Sequence, residues 1–124
     1  MMAEDPSEQQ PPMEASLPTR PLPKIHEAEL GSGPFGFVLR ADEIDFDSAV
    51  ARRRAGEDVV VCGEDVDENR RLARAIESAV GSCQRSEPHS EAGLHSLPHY
   101  QPDPRPPLGH NFYETARRKA RRKR

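Results

Sequence analysis

Val59-Val60-Val61-Cys62-Gly63-Glu64-Asp65-Val66-Asp67-Glu68-Asn69-Arg70-Arg71-Leu72-Ala73-Arg74-Ala75-Ile76-Glu77-Ser78-Ala79-Val80-Gly81 carries the two clearest structural signals in the chain. Its first four residues form an unbroken β-branched run, the pattern of a strand covered on both faces rather than half in water. Gly63 ends that run. Asp65-Val66-Asp67-Glu68 then has capping-box spacing, with Asp65 as the cap and carboxylates where a helix dipole is positive. Asn69, Leu72, Ala73, Ile76, Ala79 and Val80 recur at helical spacing, Arg70, Arg71, Arg74 and Glu77 take the other face, and Gly81 closes the helix.

Upstream, Gly31-Ser32-Gly33-Pro34 is breaker punctuation, and Phe35-Gly36-Phe37-Val38-Leu39-Arg40 is an apolar run of strand length. Asp45 or Asp47 can cap a short helix over Ser48 to Ala55 that stops before Gly56. Strand, helix, strand, helix is the order of a right-handed crossover between parallel strands, so the expected fold is a small α/β core. Two strands make a thin sheet. The later segment, the arm before it or a second chain has to supply more cover.

Composition agrees with a small core. Leu, Ile, Val and Phe fill 22 of 124 positions, about 18 %, and 14 of the 22 fall between Phe35 and Val80. Outside that stretch the chain buries too little apolar surface to offset its ordering entropy. The expected organisation is therefore a disordered proline-rich arm over 1–33, the core over 34–81, an irregular Pro/His/aromatic segment over 82–113, and a basic tail over 114–124. A large enzyme core is excluded. No apolar stretch is long enough for a membrane span or a secretory leader, and Cys62 and Cys83 read as reduced thiols, so a cytoplasmic address is expected with no membrane partner.

Charge is unevenly placed: residues 1–40 sum to −3, residues 41–80 to −5 and residues 81–124 to +5. The positive end is concentrated in Arg117, Arg118, Lys119, Arg121, Arg122, Lys123 and Arg124. Closely spaced cations neutralise phosphates and release counterions without needing a fold, so RNA or DNA is one natural partner and an acidic protein surface is the other.

A second constellation lies in the proline-rich segment, where His89, His95, His99 and His110 stand near Arg85, Arg105, Tyr100 and Tyr113. Two imidazoles can take a proton from a 2′-hydroxyl and return one to a leaving oxygen while an arginine stabilises the phosphate. His99 and His110 suit the acid–base roles, Arg105 the phosphate, and Tyr113 or Tyr100 the holding of a base or a proton. No metal is required. A rival use of the same residues, His95-x-x-x-His99 as a metal pair, needs a helix that Pro98 opposes, and Cys-x-x-Cys, phosphate-loop and serine-elbow motifs are all missing from the chain. Cys62 beside Gly63 has the position of a nucleophile at a strand end, but a small buried thiol serves packing.

Leu97-Pro98-His99-Tyr100-Gln101 followed by Gly109-His110-Asn111-Phe112-Tyr113 resembles the C-terminal motifs of small toxin domains from bacterial polymorphic toxin systems. The resemblance spans Leu97 to Tyr113, and the stretch from Val59 to Lys123 is also similar to small uncharacterised bacterial proteins. Several of the toxin families are metal-independent ribonucleases. What the resemblance implies is that His99 and His110 are the residues its motif would mark.

Three functional expectations follow. The first is a small protein that contacts nucleic acid or an acidic protein surface through its basic tail. The second is a metal-independent ribonuclease of toxin type using His99 and His110, with no cofactor. The third is a structural subunit whose sheet is completed by another chain. The oligomeric state is left open by the sequence.

Overall fold

The β-branched run becomes the central strand of a seven-stranded sheet, with all four of its residues buried. A computed structural model describes residues 22–31, 37–88 and 93–123. Expectations for residues 1–21, for Phe35, for His89 and for Arg124 lie outside those residues. The elements in chain order are β1 (Lys24–Leu30), β2 (Val38–Ile44), α1 (Phe46–Arg54), β3 (Val59–Cys62), α2 (Val66–Val80), β4 (Cys83–Ser86), β5 (His99–Pro102), β6 (Asn111–Tyr113) and β7 (Arg121–Arg122).

The sheet order is β4-β5-β6-β3-β1-β2-β7. It is mixed, since β3 pairs in parallel with β6 and β2 with β7, while the other neighbours are antiparallel. The small α/β class stands, but the element order is not the expected one. β1, drawn from the region read as a proline-rich arm, inserts between β2 and β3. Those two strands still run in the same direction, because each is antiparallel to β1. Ile25 and Ala28 are the reason this polar stretch orders: each is buried, and three positions apart on a strand they point to opposite faces of the sheet, one into each cluster.

The segment over 82–113 is likewise corrected, from an irregular wrap to the half of the sheet formed by β4, β5 and β6. Prolines permit this because the strands have only three or four residues. Pro98 precedes β5, and Pro102 ends it beyond the two residue pairs that β5 shares with β6. The cover that a two-strand core lacked thus comes from this chain itself.

Both helices lie on one face. Their caps are as the spacing predicts: Asp45 accepts from Ser48 N–H (2.8 Å), and Asp65 accepts from the N–H groups of Asp67 (3.0 Å) and Glu68 (3.2 Å). Ala49 and Val50 of α1 and Ala73 and Ile76 of α2 pack on Ile25, Val59, Val61, Tyr100 and Tyr113. Two positions on α2 depart from the expected pattern: Ala79 is exposed, and Glu77 is buried. Glu77 is buried because Arg53 of α1, equally buried, grips it with two bonds, Nε to Oε1 (2.9 Å) and Nη2 to Oε2 (3.0 Å). The remaining Arg53 nitrogen donates to the carbonyls of Glu57 (2.8 Å) and Leu108 (3.0 Å), so one guanidinium joins both helices to the loop before β6. Gly109 (φ +87°) makes that approach feasible, since a Cβ there would lie 2.6 Å from both Arg53 Nη1 and the Gly56 carbonyl.

The second face holds a smaller cluster: Ala28, Val38, Val60, Cys62, Leu97 and Phe112, with Ala120 packed against it. No helix residue belongs to it. Its cover is irregular chain, the run before β5 and the C-terminal residues. Among the described residues, no helix is long and apolar enough to cross a membrane.

Candidate functional site

β5 and β6 are antiparallel neighbours, and the pairing of His99 with Phe112 puts both side chains on the second face. Tyr100, Asn111 and Tyr113, one residue away on each strand, point to the helix-covered face. His110 enters β6 on the Phe112 side. The result is a three-ring group: His99 to His110 at 4.7 Å between centroids and nearly perpendicular (79°), His99 to Phe112 at 5.4 Å, and His110 to Phe112 at 5.3 Å. Eleven positions apart in the chain, the two histidines meet because adjacent strands carry them.

Asp58 anchors one side of this group. Its Oδ1 accepts from the His110 backbone N–H at 2.7 Å, and His110 Nδ1 lies 3.4 Å from the same oxygen. The backbone closes the arrangement, since Val59 N–H donates to the His110 carbonyl at 3.1 Å. On the other side, His99 Nε2 bonds Gln101 Oε1 at 3.1 Å. Neither Nδ1 has a hydrogen-bond partner among the described residues, and both are buried. His99 Nε2 is held by Gln101, so another molecule reaches it only by displacing that side chain. Burial, and after it the facing charge of His110, lower the His99 pKa below the ordinary imidazole value, with Arg105 adding to the effect. The neutral form of His99 is thus favoured. Arg105 is exposed and oriented by donating from Nη2 to the Gly109 carbonyl (3.1 Å).

Of the residues singled out in the sequence, His99, His110 and Arg105 are brought to one region. Tyr113 is not. Strand alternation sends it under the helices, where its hydroxyl accepts from Arg85 Nη1 at 3.3 Å and its ring lies 5.9 Å from that of Tyr100. The polar side chains beside the two imidazoles are therefore Gln101 and Asp58, not Tyr113 and Tyr100. Gln101 was legible in principle, two positions after His99 on a strand, but that required reading the segment as strand. Asp58 has no sequence signal, because an acid before a buried run is as common in a turn as in a site.

His95 is turned elsewhere, with Nδ1 2.7 Å from the Lys119 carbonyl. Among the described residues, no three His, Cys, Asp or Glu side chains gather as a metal ion requires. Cys62 and Cys83 are free thiols. Burial, with the Glu114 carboxylate beside it, pushes the Cys62 thiol up to about 12, so it stays protonated at neutral pH.

The C-terminal residues need the largest correction: they form a strap across the second face rather than a free tail. Glu114 is buried and holds it, accepting from Gly63 N–H (3.3 Å) and Ala120 N–H (2.9 Å), while Asn69 Nδ2 donates to the Glu114 carbonyl (3.0 Å). Arg118 Nη1 donates to the carbonyls of Gly93 (2.8 Å) and Ser96 (3.0 Å), and Lys119 N–H donates to Leu94 (3.0 Å). Arg121 and Arg122 extend the sheet as β7, Arg121 lies 5.6 Å over the Phe37 ring, and Lys123 pairs with Glu29. Arg117, Arg121, Arg122 and Lys123 remain exposed, now as fixed positions along an edge.

Compared with protein-family models, with curated proteins and with solved structures, the chain finds no match.

Proposed function

We propose that this protein cleaves RNA without a metal ion, with His99 and His110 as its acid–base pair. The single observation that carries the reading is their meeting at 4.7 Å, backed by Asp58 on one side and Gln101 on the other. His99, neutral at pH 7, suits the base. In its Nδ1-protonated tautomer, a substrate 2′-hydroxyl that displaces Gln101 gives its proton to Nε2. The resulting oxygen attacks the adjacent phosphorus, the bond from phosphorus to the 5′-oxygen breaks, and His110 in its protonated form gives that oxygen a proton. Asp58 holds the His110 backbone N–H and places its carboxylate 3.4 Å from Nδ1 of the protonated ring, and Arg105 supplies positive charge for the crowded phosphate.

A second reading, binding without cleavage, is favoured by the exposed cations Arg117, Arg121 and Arg122 along the strap edge. One experiment separates the two. A mixed RNA pool is incubated with the protein in EDTA, beside His110→Ala and a triple variant, Arg117→Gln with Arg121→Gln and Arg122→Gln. Point substitutions are used instead of deleting the strap, because deletion would remove Ala120 from the cluster of Ala28, Val60 and Phe112. Cleavage that falls about a hundredfold or more in His110→Ala supports the enzyme. Salt-sensitive retention without cleavage, lost in the triple variant, replaces it with the binding protein. Neither signal would overturn both.

A further inference from the structure

On the helix-covered side, at the far edge of the sheet, an open cleft of about 460 Å³ is lined by Arg74 and Ser78 of α2, by Gly81 and Ser82 after it, by Cys83, Gln84 and Arg85 of β4, and by Tyr100. We propose that this cleft binds a phosphate group. Its lining offers two guanidiniums, the hydroxyls of Ser78, Ser82 and Tyr100, and a carboxamide, and no carboxylate. Arg74 and Ser78 are four residues apart on one helix and share a face. Arg85 reaches the cleft from β4 and is held at one nitrogen by the Tyr113 hydroxyl and by Glu87, which fixes its plane before any ligand arrives.

The cations are not explained by the helix they adjoin. The carbonyl end of α2 is already met by Arg54, which donates to the Ala79 carbonyl at 3.0 Å, and the Gly81 N–H closes the last turn on Glu77. Arg74 has no ion-pair partner among the described residues, whereas Arg70 and Arg71 on the same helix pair with Asp67 and Glu68. A guanidinium without an ion-pair partner among the described residues, beside a second one that Glu87 pre-orients at a single nitrogen, is an arrangement suited to an oxyanion.

The cleft is also placed usefully. Ser86 pairs with His99 and Arg85 with Tyr100, so the phosphate cleft and the histidine pair lie on opposite faces of the same edge ladder. A nucleic-acid strand can pass round the edge strand β4 and occupy both. That link rests on the ribonuclease reading, whereas the phosphate site itself does not.

The test therefore has two arms. In the first, adenosine 5′-monophosphate and inorganic phosphate are titrated separately into the full-length protein, and amide shifts are followed by NMR for wild type, Arg74→Gln and Lys24→Gln, an exposed cation outside the cleft. Saturable shifts at Ser78, Ser82 and Arg85, with affinity weakened about tenfold or more in Arg74→Gln and unchanged in Lys24→Gln, are expected. Shifts confined to 117–122, or equal affinity in Arg74→Gln, overturn the site, as does absence of a saturable response. In the second arm, a dinucleotide and a longer single strand are compared as cleavage substrates. A raised KM for the long strand alone in Arg74→Gln, at unchanged kcat, identifies the phosphate as one of a bound strand. An unchanged KM for the long strand assigns the cleft to free nucleotides. If wild type cleaves neither, the ribonuclease reading fails and the first arm still decides the phosphate site.

Discussion

The two faces of the sheet are built from the same strands but stabilised differently. The helix-covered face holds aliphatic side chains from both helices and a fully buried Arg53–Glu77 pair. The other face is closed by loops and by a basic strap, and it carries the histidines. The difference shows that one face is ordered by helices and the other, with the paired histidines, by irregular chain. A helix buries a wide stripe of atoms with its backbone already hydrogen-bonded, whereas a loop must find partners for each peptide group individually.

The sharpest way to break the comparison is Arg53→Met, which strands the Glu77 carboxylate inside the helical layer. A loss of about 3–5 kcal/mol is expected in urea denaturation, largely recovered in the double variant Arg53→Met with Glu77→Leu. A loss below about 1 kcal/mol would mean that water reaches the pair. Next come matched truncations, Ile76→Ala under the helices and Leu97→Ala under the loops. Both fall within about 2–5 kcal/mol, with Leu97→Ala the smaller because irregular cover collapses more readily into a cavity. Equal values would show that the two faces are packed alike.

Glu114→Gln tests the strap itself. One buried oxygen becomes an amide facing a backbone N–H, at a cost of about 1–3 kcal/mol, and proteolysis after the strap arginines should accelerate. Unchanged proteolysis would dissociate Glu114 from strap closure. The pH dependence is smaller and has a definite sign. The His99 pKa in the folded protein lies below its unfolded value near 6.5, so the unfolded chain binds more protons and stability falls as pH drops below about 6.5, through the folded pKa. Between pH 7.5 and 5.5 the thermal midpoint of His99→Gln should fall less than that of wild type. The smallest effect belongs to Lys123→Ala, since the exposed pair with Glu29 contributes at most about 1 kcal/mol and less in high salt.

Legibility in the sequence follows the length of the elements. α2 has fifteen residues, enough for periodicity, a cap and a stop to agree, and β3 is short but uniformly β-branched. β4, β5 and β6 have three or four residues each, too few for an alternation to stand out against six nearby prolines. The same brevity hid the site. His99 and His110 were recognisable as candidates by residue type, but nothing in their spacing says that Tyr113 turns away from them while Gln101 turns toward them.

The tail makes the same point from the side of charge. A run of arginines and lysines reads as a solvated terminus, yet buried Glu114 and partly buried Ala120, inconspicuous among them, help to order it together with the backbone contacts of Arg118 and Lys119.

What the amino-acid sequence determined by itself is local: the central strand, both helices with an acidic cap at Asp45 or Asp47 for the first and at Asp65 for the second, and the sign of charge along the chain. These depend on hydrogen bonds and side-chain periodicities that close within a few residues. Which strands are neighbours, which face each histidine takes, that Arg53 finds Glu77 and that the basic end is strapped down were decided only by the tertiary structure. Those outcomes depend on which distant segments bury each other's apolar surface and polar groups, a competition settled across the whole chain at once.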